Sequence, residues 1–192
     1  SNQQYLGLIQ EQLKGISVNN VLLEPSRNNT APSIAYASYK ILKQNPDANI
    51  VVAPSDHLIL KESEFLERIN QALNYTAQND ALLTLGISPT RPDTGYGYIN
   101  FHKEAVTGVH KVERFMEKPV LEKAVEYVAN GDYLWNAGIF IWRAKSIKQA
   151  FEQYAPEVHV LFEKGNNYYN TNAEVGFIAE NYPKSPNISI DY

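Results

Sequence analysis

In the first half of the chain, segments with apolar residues at helical spacing alternate with short, continuous apolar runs. Apolar residues recur at helical spacing in YLGLIQEQLKG (5–15), IAYASYKILK (34–43) and ESEFLERINQALNY (62–75). Short apolar runs typical of buried strands occur at NNVLLE (19–24), IVVA (50–53) and ALLTLGI (81–87). This β-α-β-α-β order predicts a parallel, doubly wound α/β sheet with right-handed crossovers.

Turn residues and antiparallel strand patterns replace this alternation from residue 88 onward. Pro and Gly residues mark a long turn region over 88–97. The following elements are predicted, in chain order: antiparallel strands over 96–101 and 107–118, a helix from Pro119 to a Gly131 cap, a strand region over 133–144 interrupted at 136–138, and helical segments over 145–169. The second half therefore adds an antiparallel edge or subdomain.

One helix boundary is predicted from cap chemistry. Thr30 is a good N-cap, and Pro32 then falls in the first turn, where a missing N–H costs nothing. We therefore expect the second helix to begin near Thr30.

Composition narrows the class of protein. A chain of 192 residues, 44% of them hydrophobic, suits one domain over 1–192. A net charge of −4 disfavours nucleic-acid binding, and the absence of cysteine excludes disulfides and thiolate chemistry. No apolar run approaches ~18 residues and no secretion signal is visible, so we expect a cytoplasmic protein without a membrane span.

The stretch IVVAPSDH (50–57) places two ionisable residues directly after a predicted strand. In open α/β sheets ligands bind at the carboxyl ends of strands, so Asp56 is a candidate ligand or metal contact. Capping of a turn is the alternative interpretation of Asp56. His57 has no role that the sequence supplies.

Two further segments combine turn residues with hydrogen-bonding groups. LEPSRNNTAP (23–32) leads into a helix N-terminus, whose free N–H groups favour an anion or a polar base edge, although Asn29 or Thr30 could act only as a cap. In GISPTRPDTGYGYI (86–99), glycines on both sides of Tyr96 allow close approach to a ligand. A hairpin turn is the alternative there.

FMEKP and WNAGIF complete the set of candidate segments. Glu117 and Lys118 place an acceptor and a cation side by side, a combination suited to a sugar diol and a phosphate but also usual in a solvated ion pair. Trp135 and Asn136 offer a flat apolar surface and a two-way hydrogen-bonding amide. That pair is common in sugar sites and in protein cores.

The order of these segments resembles the mannose-1-phosphate guanylyltransferases, within the sugar nucleotidyltransferase family. It runs EP..NNTAP, APSDH, GI.PT.P.TGYGYI, F.EKP, WNAGIF and SIDY, between about residue 6 and residue 192. The resemblance implies a Rossmann-like nucleotidyltransferase α/β fold, with a mixed, mostly parallel sheet, flanking helices and an antiparallel edge subdomain. It also implies that GTP and mannose 1-phosphate react with Mg²⁺ to give GDP-mannose and pyrophosphate.

The resemblance further implies a set of site residues. Asp56 and Asp191 would converge on Mg²⁺, which proteins hold with one or two carboxylates plus substrate phosphates. The other implied roles are guanine and ribose contact for Asn29 and Thr30, a wall against the hexose for Tyr96 and Gly97, acceptance of sugar hydroxyls for Glu117, phosphate binding for the catalytic Lys118, and a sugar hydrogen bond for Asn136.

Two departures from the family pattern shape the functional prediction. Asn28 stands where the family has Arg before Asn-Thr, and Arg27 comes one position earlier. The family's first strand and Gly-rich loop, G-G-x-G-T-R-L-x-P, do not occur in these 192 residues. We therefore expect a partial, N-terminally truncated nucleotidyltransferase domain with little activity alone.

Two alternatives remain beside this prediction. One is a nucleotidyltransferase for another hexose 1-phosphate, such as a glucose 1-phosphate uridylyltransferase. The other is a non-catalytic, sugar-nucleotide-binding or regulatory subunit. Homo-oligomerisation and a C-terminal isomerase domain, which some members of the family carry, stay open at this point.

Overall fold

The computed structural model describes residues 1–191, which form seven α-helices and five strands. The helices are α1 Leu6–Gln12, α2 Thr30–Gln44, α3 Glu62–Gln78, α4 Leu121–Asn130, α5 Ala144–Tyr154, α6 Pro156–Glu163 and α7 Glu174–Asn181. The strands are β1 Asn49–Val52, β2 Leu82–Ile87, β3 Tyr98–Val106, β4 Val109–Met116 and β5 Tyr133–Arg143. Tyr192, the last residue of the S-I-D-Y segment, lies outside the described residues.

The described residues group into two compact units. The first unit contains residues 1–50 and 143–190, and the second contains residues 51–142 together with Asp191. The prediction of a single domain over 1–192 stays a prediction. Among residues 1–191, no helix is both long enough and apolar enough to cross a bilayer.

Most predicted helices are present close to their expected bounds. α2 begins at Thr30 as expected, but the capping residue is Asn29, whose Oδ1 accepts a 2.9 Å hydrogen bond from the Thr30 N–H. α4 ends at Gly131, whose φ of 71° is the left-handed conformation that glycine adopts without a steric penalty. α7 was not predicted from the sequence.

The sheet differs from the predicted one in strand direction. Its order is β1-β5-β3-β4, with β2 also paired to β5. β2 with β5, β3 with β4, and β3 with β5 all pair antiparallel, whereas the alternation along the chain predicted a mostly parallel sheet. The physical reason is that β1 and β2 both pair with β5 instead of with each other, so the predicted parallel neighbours are not adjacent.

Three local strand predictions also need correction. Residues 19–24 form no strand, because the only bridge there is an isolated one between Asn2 and Glu24. β1 is not covered on both faces, since Ile50 is buried but Val51 is 38% exposed. β5 continues through 136–138 without a break, although Gly138 has a φ of 63°.

A polar cluster lies among the helices of the first unit. The buried Glu174 carboxylate accepts hydrogen bonds from Lys40 Nζ at 2.6 Å, from Tyr36 Oη at 2.5 Å and from the Asn170 N–H at 2.7 Å. Burial alone would raise the pKa of Glu174, but these donors outweigh it and hold that pKa below its usual range. With its oxygens fully used by the chain's own donors, Glu174 has a structural role.

Two apolar clusters form the core of the second unit. Ile69 and Ala72 of α3 pack against Ala137, Ile139 and Ile141 of β5. The other cluster packs α4 against the start of β3 and β5, through Tyr98, Ala124, Tyr133 and Trp135. A fully buried Ile side chain contributes ~2 kcal/mol, so β5 is held firmly between these clusters.

Candidate functional site

The segment that precedes α2 is organised by its own side chains. Asn28 is buried, and its Nδ2 donates to the Ser185 carbonyl oxygen at 2.7 Å and to Ser185 Oγ at 3.1 Å. Arg27 instead donates from Nη2 to Tyr5 Oη at 3.2 Å. The Asn28 that departs from the family pattern therefore binds the backbone near residue 185 as a structural element.

The first N–H groups of α2 are already used within the chain. Thr30 N donates to Asn29 Oδ1, and Ala31 N donates to the Ile188 carbonyl oxygen at 3.1 Å. Thr30 Oγ1 accepts a 2.9 Å hydrogen bond from the Ile190 N–H. The helix start thus binds residues 188–190, and nucleotide contact by Asn29 and Thr30 stays a prediction.

A polar brace shapes the loop that precedes β3. Asp93 Oδ2 accepts from Arg91 Nε at 3.0 Å and Nη2 at 2.6 Å, and Asp93 Oδ1 accepts from the Gly95 N–H at 2.8 Å. Tyr98 Oη donates to the Asp93 carbonyl oxygen at 2.9 Å. The Gly95 N–H, and then the Arg91 guanidinium, hold the pKa of Asp93 below its usual range. The loop is therefore fixed by its own carboxylate.

An aromatic surface continues from this braced loop. The ring of Tyr96, 45% exposed, lies 5.0 Å from the ring of Trp135, and the Arg91 guanidinium lies 5.4 Å from the Trp135 ring. The backbone joins the same segments, because the Asn136 N–H donates to the Gly97 carbonyl oxygen at 2.8 Å. The predicted hexose wall, Tyr96 and Gly97, is thus attached to the WNAGIF strand.

Glu117 and Lys118 lie at the end of β4, beside Gly97. A Cβ atom on Gly97 would be 2.9 Å from Glu117 Oε2, so glycine lets this carboxylate approach the backbone closely. Lys118 Nζ lies 3.5 Å from Glu117 Oε1, and its side chain is 65% exposed. Lys118 also has a φ of 40°, a strained conformation that is concentrated at functional sites.

Asn136 binds the carboxylate of Asp191. Its Nδ2 donates to Asp191 Oδ1 at 2.7 Å, across 55 residues of chain. Its Oδ1 accepts from the Gly138 N–H at 3.0 Å and lies 3.5 Å from Thr84 Oγ1. These partners fix which way the amide points, so that its N–H group faces Asp191.

Asp56 has a different environment, on an exposed turn after β1. Within residues 1–191 its carboxylate makes no hydrogen bond or ion pair, and His57 beside it is exposed. A Cβ atom on Gly138 would lie 3.5 Å from Pro54 Cγ, so the turn that carries Asp56 passes close to Gly138. The turn that begins at Pro54 therefore contacts β5 two residues beyond Asn136, and convergence of Asp56 and Asp191 on one cation stays a prediction.

The structure thus brings Gly97, Glu117, Asn136 and Asp191 into direct contact or one contact apart. The described part of the chain contains no cluster of three or more His, Asp or Glu side chains arranged for a metal ion. Sequence reasoning missed the brace formed by Arg91 and Asp93, although an Asp two residues before a Gly is a usual turn signal. It also missed the Asn136–Asp191 hydrogen bond, for which the sequence holds no local signal.

A family model described as nucleotidyl transferase matches residues 1–177. The chain is 36% identical to the mannose-1-phosphate guanylyltransferase RfbM of Salmonella typhimurium, over 100% of this chain and 41% of that protein. The chain therefore spans less than half the length of this curated relative.

Two solved structures share the fold over the whole chain. The mannose-1-phosphate geranyltransferase of Thermus thermophilus has a TM-score of 0.87 at 26% identity, with 53% of its chain covered. The mannose-6-phosphate isomerase of Helicobacter pylori has a TM-score of 0.79 at 27% identity, with 74% of its chain covered. Both likenesses support the α/β fold class predicted from the sequence.

Proposed function

The chain belongs to the nucleotidyl transferase family, and from that premise we propose that it forms part of a mannose-1-phosphate guanylyltransferase. The proposed reaction transfers GMP from GTP to mannose 1-phosphate and gives GDP-mannose and pyrophosphate. Support comes from the order of the sequence motifs and from a relative with that name at 36% identity.

One observation carries the proposal. The Asn136 amide holds the Asp191 carboxylate at 2.7 Å, and the Asn136 backbone is bonded to Gly97 of the predicted hexose wall. A carboxylate from residue 191 is therefore fixed within one residue of the segment expected to receive the sugar. In the proposed reaction a sugar phosphate and a nucleotide phosphate would meet beside this carboxylate.

The residues of the second unit would bind and orient the sugar phosphate. Tyr96 and Gly97 form the wall, Glu117 accepts hydrogen bonds from sugar hydroxyls, and the exposed Lys118 cation attracts the phosphate. The attacking phosphate oxygen is already an anion and needs no general base, so positioning and charge compensation are the main tasks.

The two aspartates have the donor chemistry that Mg²⁺ requires. Mg²⁺ prefers carboxylate oxygens together with substrate phosphates; Asp191 is held by Asn136, and Asp56 lies on an exposed turn where its carboxylate has no partner among residues 1–191. Bound Mg²⁺ would neutralise phosphate charge during the transfer. Asn136 would serve to orient the Asp191 carboxylate, in addition to any hydrogen bond to the sugar.

Asn29 and Thr30 of the first unit are the proposed guanine and ribose contacts. Asn29 has a φ of 67°, and a strained non-glycine residue at a helix start is typical of a binding segment. Its side chain is exposed, although its Oδ1 also caps α2.

The test is product formation by the protein that contains these 192 residues. GTP, mannose 1-phosphate and Mg²⁺ are supplied, and GDP-mannose and pyrophosphate are measured, with UTP and glucose 1-phosphate as competitors. We expect GDP-mannose, and little product when the 192 residues are assayed alone, since they contain no Gly-rich triphosphate loop. Binding of GDP-mannose without turnover by the whole protein would contradict the proposal and favour a non-catalytic binding subunit.

A further inference from the structure

A second concave site lies in the second unit, between α3, β2 and the β3–β4 hairpin. Its volume is about 870 Å³, within the range usual for small-molecule sites. None of the nine predicted site residues lines it. We call it the hairpin groove, defined by α3 residues 68–75, β2 residues 82–86, hairpin residues 99–112 and Leu134 of β5.

The interior of the hairpin groove is mainly apolar. Its apolar lining includes Leu83, Leu85, Ile99, Phe101, Val112 and Leu134. A Cβ atom on Gly86 would be 2.5 Å from Leu134 Cδ1, so the Leu134 side chain can pack against the backbone of residue 86 only because that residue is glycine. The groove therefore offers a continuous apolar surface to a ligand.

The groove also carries positive charge in a chain whose net charge is −4. Arg68 and Lys111 both line it, and among residues 1–191 only Glu104 contributes a carboxylate to the lining. His102 and His110 line it as well; His102 Nε2 lies 2.8 Å from Glu113 Oε2. An apolar surface beside two cations complements a molecule with an apolar body and an anionic group.

The groove is held open by contacts that do not depend on a ligand. Gln71 of α3 donates from Nε2 to the Thr107 carbonyl oxygen at 2.8 Å, so the hairpin tip is fastened to the helix. Thr107 and Gly108 form the turn with φ values of 53° and 78°. The ladder registers shift between Thr84 and Gly86 and between Phe101 and Ala105, where both strands border the groove. Such irregularities are concentrated next to binding sites.

We propose that the hairpin groove binds a small amphipathic anion. The apolar body of the ligand lies on the leucine and isoleucine side chains, and its phosphate or carboxylate binds Arg68 and Lys111. The volume favours a small molecule, because the hairpin tip and α3 close one side of the groove.

The test uses octyl phosphate as the probe on the protein that contains this chain, with binding measured by calorimetry. Inorganic phosphate lacks the apolar body, and octyltrimethylammonium reverses the charge. We expect saturable binding of octyl phosphate, and binding of both other probes weaker by about tenfold or more. The combined R68Q and K111Q substitutions should weaken octyl phosphate by about tenfold, whereas K61Q and K103Q, two cations that do not line the groove, should not.

Hydrogen exchange gives a second readout that does not rely on variants. Octyl phosphate should slow exchange in the peptides that cover residues 68–75, 82–86 and 99–112. Equal affinity of the groove and control variants, equal binding of all three probes, or protection confined to other segments would each overturn the proposal. Because none of the substituted side chains is buried, the variants are expected to fold.

Discussion

The two aspartates expected to share one cation differ in how the chain holds them. Asp191 receives a 2.7 Å hydrogen bond from Asn136, whose amide is itself oriented by the Gly138 N–H. Asp56 lies on an exposed turn, and within residues 1–191 no side chain or backbone group bonds to its carboxylate. One carboxylate is placed by the fold, whereas the other is free to adjust to a ligand.

A fixed carboxylate and a mobile carboxylate differ in the entropy that is lost when a ligand binds. A carboxylate that is held in one orientation loses little entropy when it binds, but it cannot follow a ligand that shifts. A carboxylate on an open turn can move, at the cost of being ordered on binding. We therefore expect the proposed site to combine a fixed ligand from residue 191 with an adaptable one from residue 56.

The largest expected effect is the loss of either aspartate. D56A and D191A should each lower the rate of GDP-mannose formation by about 100-fold or more, because each removes a charge proposed to bind Mg²⁺ beside the phosphates. Turnover of the protein that contains this chain is measured at saturating Mg²⁺. D56A should leave thermal stability unchanged, and D191A should cost about 1 kcal/mol from the lost hydrogen bond.

The matched control is E122Q, which removes an exposed carboxylate from α4. It should leave the rate unchanged. If D56A also kept the normal rate at limiting Mg²⁺, Asp56 would have no part in binding the cation, and Asp191 would be the only aspartate of the two left in the proposed site.

The next effect concerns the group that fixes Asp191. N136A removes a side-chain amide that donates to this carboxylate, so the Mg²⁺ concentration for half-maximal rate should rise by ~10–100-fold, as expected for a residue that orients a metal ligand. The rate is measured as a function of Mg²⁺ at saturating mannose 1-phosphate.

N100A is the control for N136A, because Asn100 donates a comparable 3.0 Å hydrogen bond to the Asp132 carbonyl oxygen without contacting Asp191. Its Mg²⁺ dependence should match the unaltered protein. An N136A variant with a raised KM for mannose 1-phosphate and an unchanged Mg²⁺ dependence would contradict the orienting role, and would assign Asn136 to the sugar alone.

Most helices and the two antiparallel strands β3 and β4 were predictable because their signals are local. Periodic apolar positions predicted α2 and α3, and strand patterns over 96–101 and 107–118 predicted β3 and β4, although Thr107 and Gly108 form the turn between them. Strand partners were not predictable, because a strand pattern does not say which neighbour it will pair with. β5 pairs with β1, β2 and β3, and its pairs with β2 and β3 are antiparallel, whereas β-α-β alternation predicted parallel neighbours.

In the candidate site too, local sequence signals predicted individual residues but not all of the contacts between them. Motif order identified Gly97, Glu117 and Asn136, which the structure brings to one place. It did not identify the bond from Asn136 to Asp191, because a contact across 55 residues is set by tertiary packing. The motif order also did not identify Asp93, although its carboxylate determines the shape of the loop before β3.

Lys118 is an exposed cation and, like Asp56, is not held firmly by the chain. K118A and K118G should both raise the KM for mannose 1-phosphate by about tenfold, because both remove the cation proposed to bind the phosphate. They should differ in stability, since glycine accepts the φ of 40° at this position without strain and K118G should be more stable than K118A by about 1 kcal/mol. Equal KM values for K118A and the control K103A would remove Lys118 from the site.

The smallest effect is expected from Asp93, which like Asp191 is held by hydrogen bonds but has no proposed contact with the substrate. D93N keeps the shape of the side chain and removes the charge that binds Arg91, so the KM for mannose 1-phosphate should rise only about threefold as the Tyr96–Gly97 wall loosens.

The pH dependence of the brace follows from the direction of its pKa shift. The Gly95 N–H and then Arg91 lower the pKa of Asp93 in the folded chain, so the stabilisation is fully present above the unfolded value of ~3.9 and is lost as pH falls through the lowered folded value.

Emission of Trp135 in a W142F background reports the brace, because the Arg91 guanidinium lies 5.4 Å from that ring. Emission should differ between D93N and the parent from pH 8 to 5, and the difference should vanish in acid. D47N, which removes an exposed carboxylate paired with Lys145, should show no such difference; if it did, Trp135 would be reporting general acid unfolding instead of the brace.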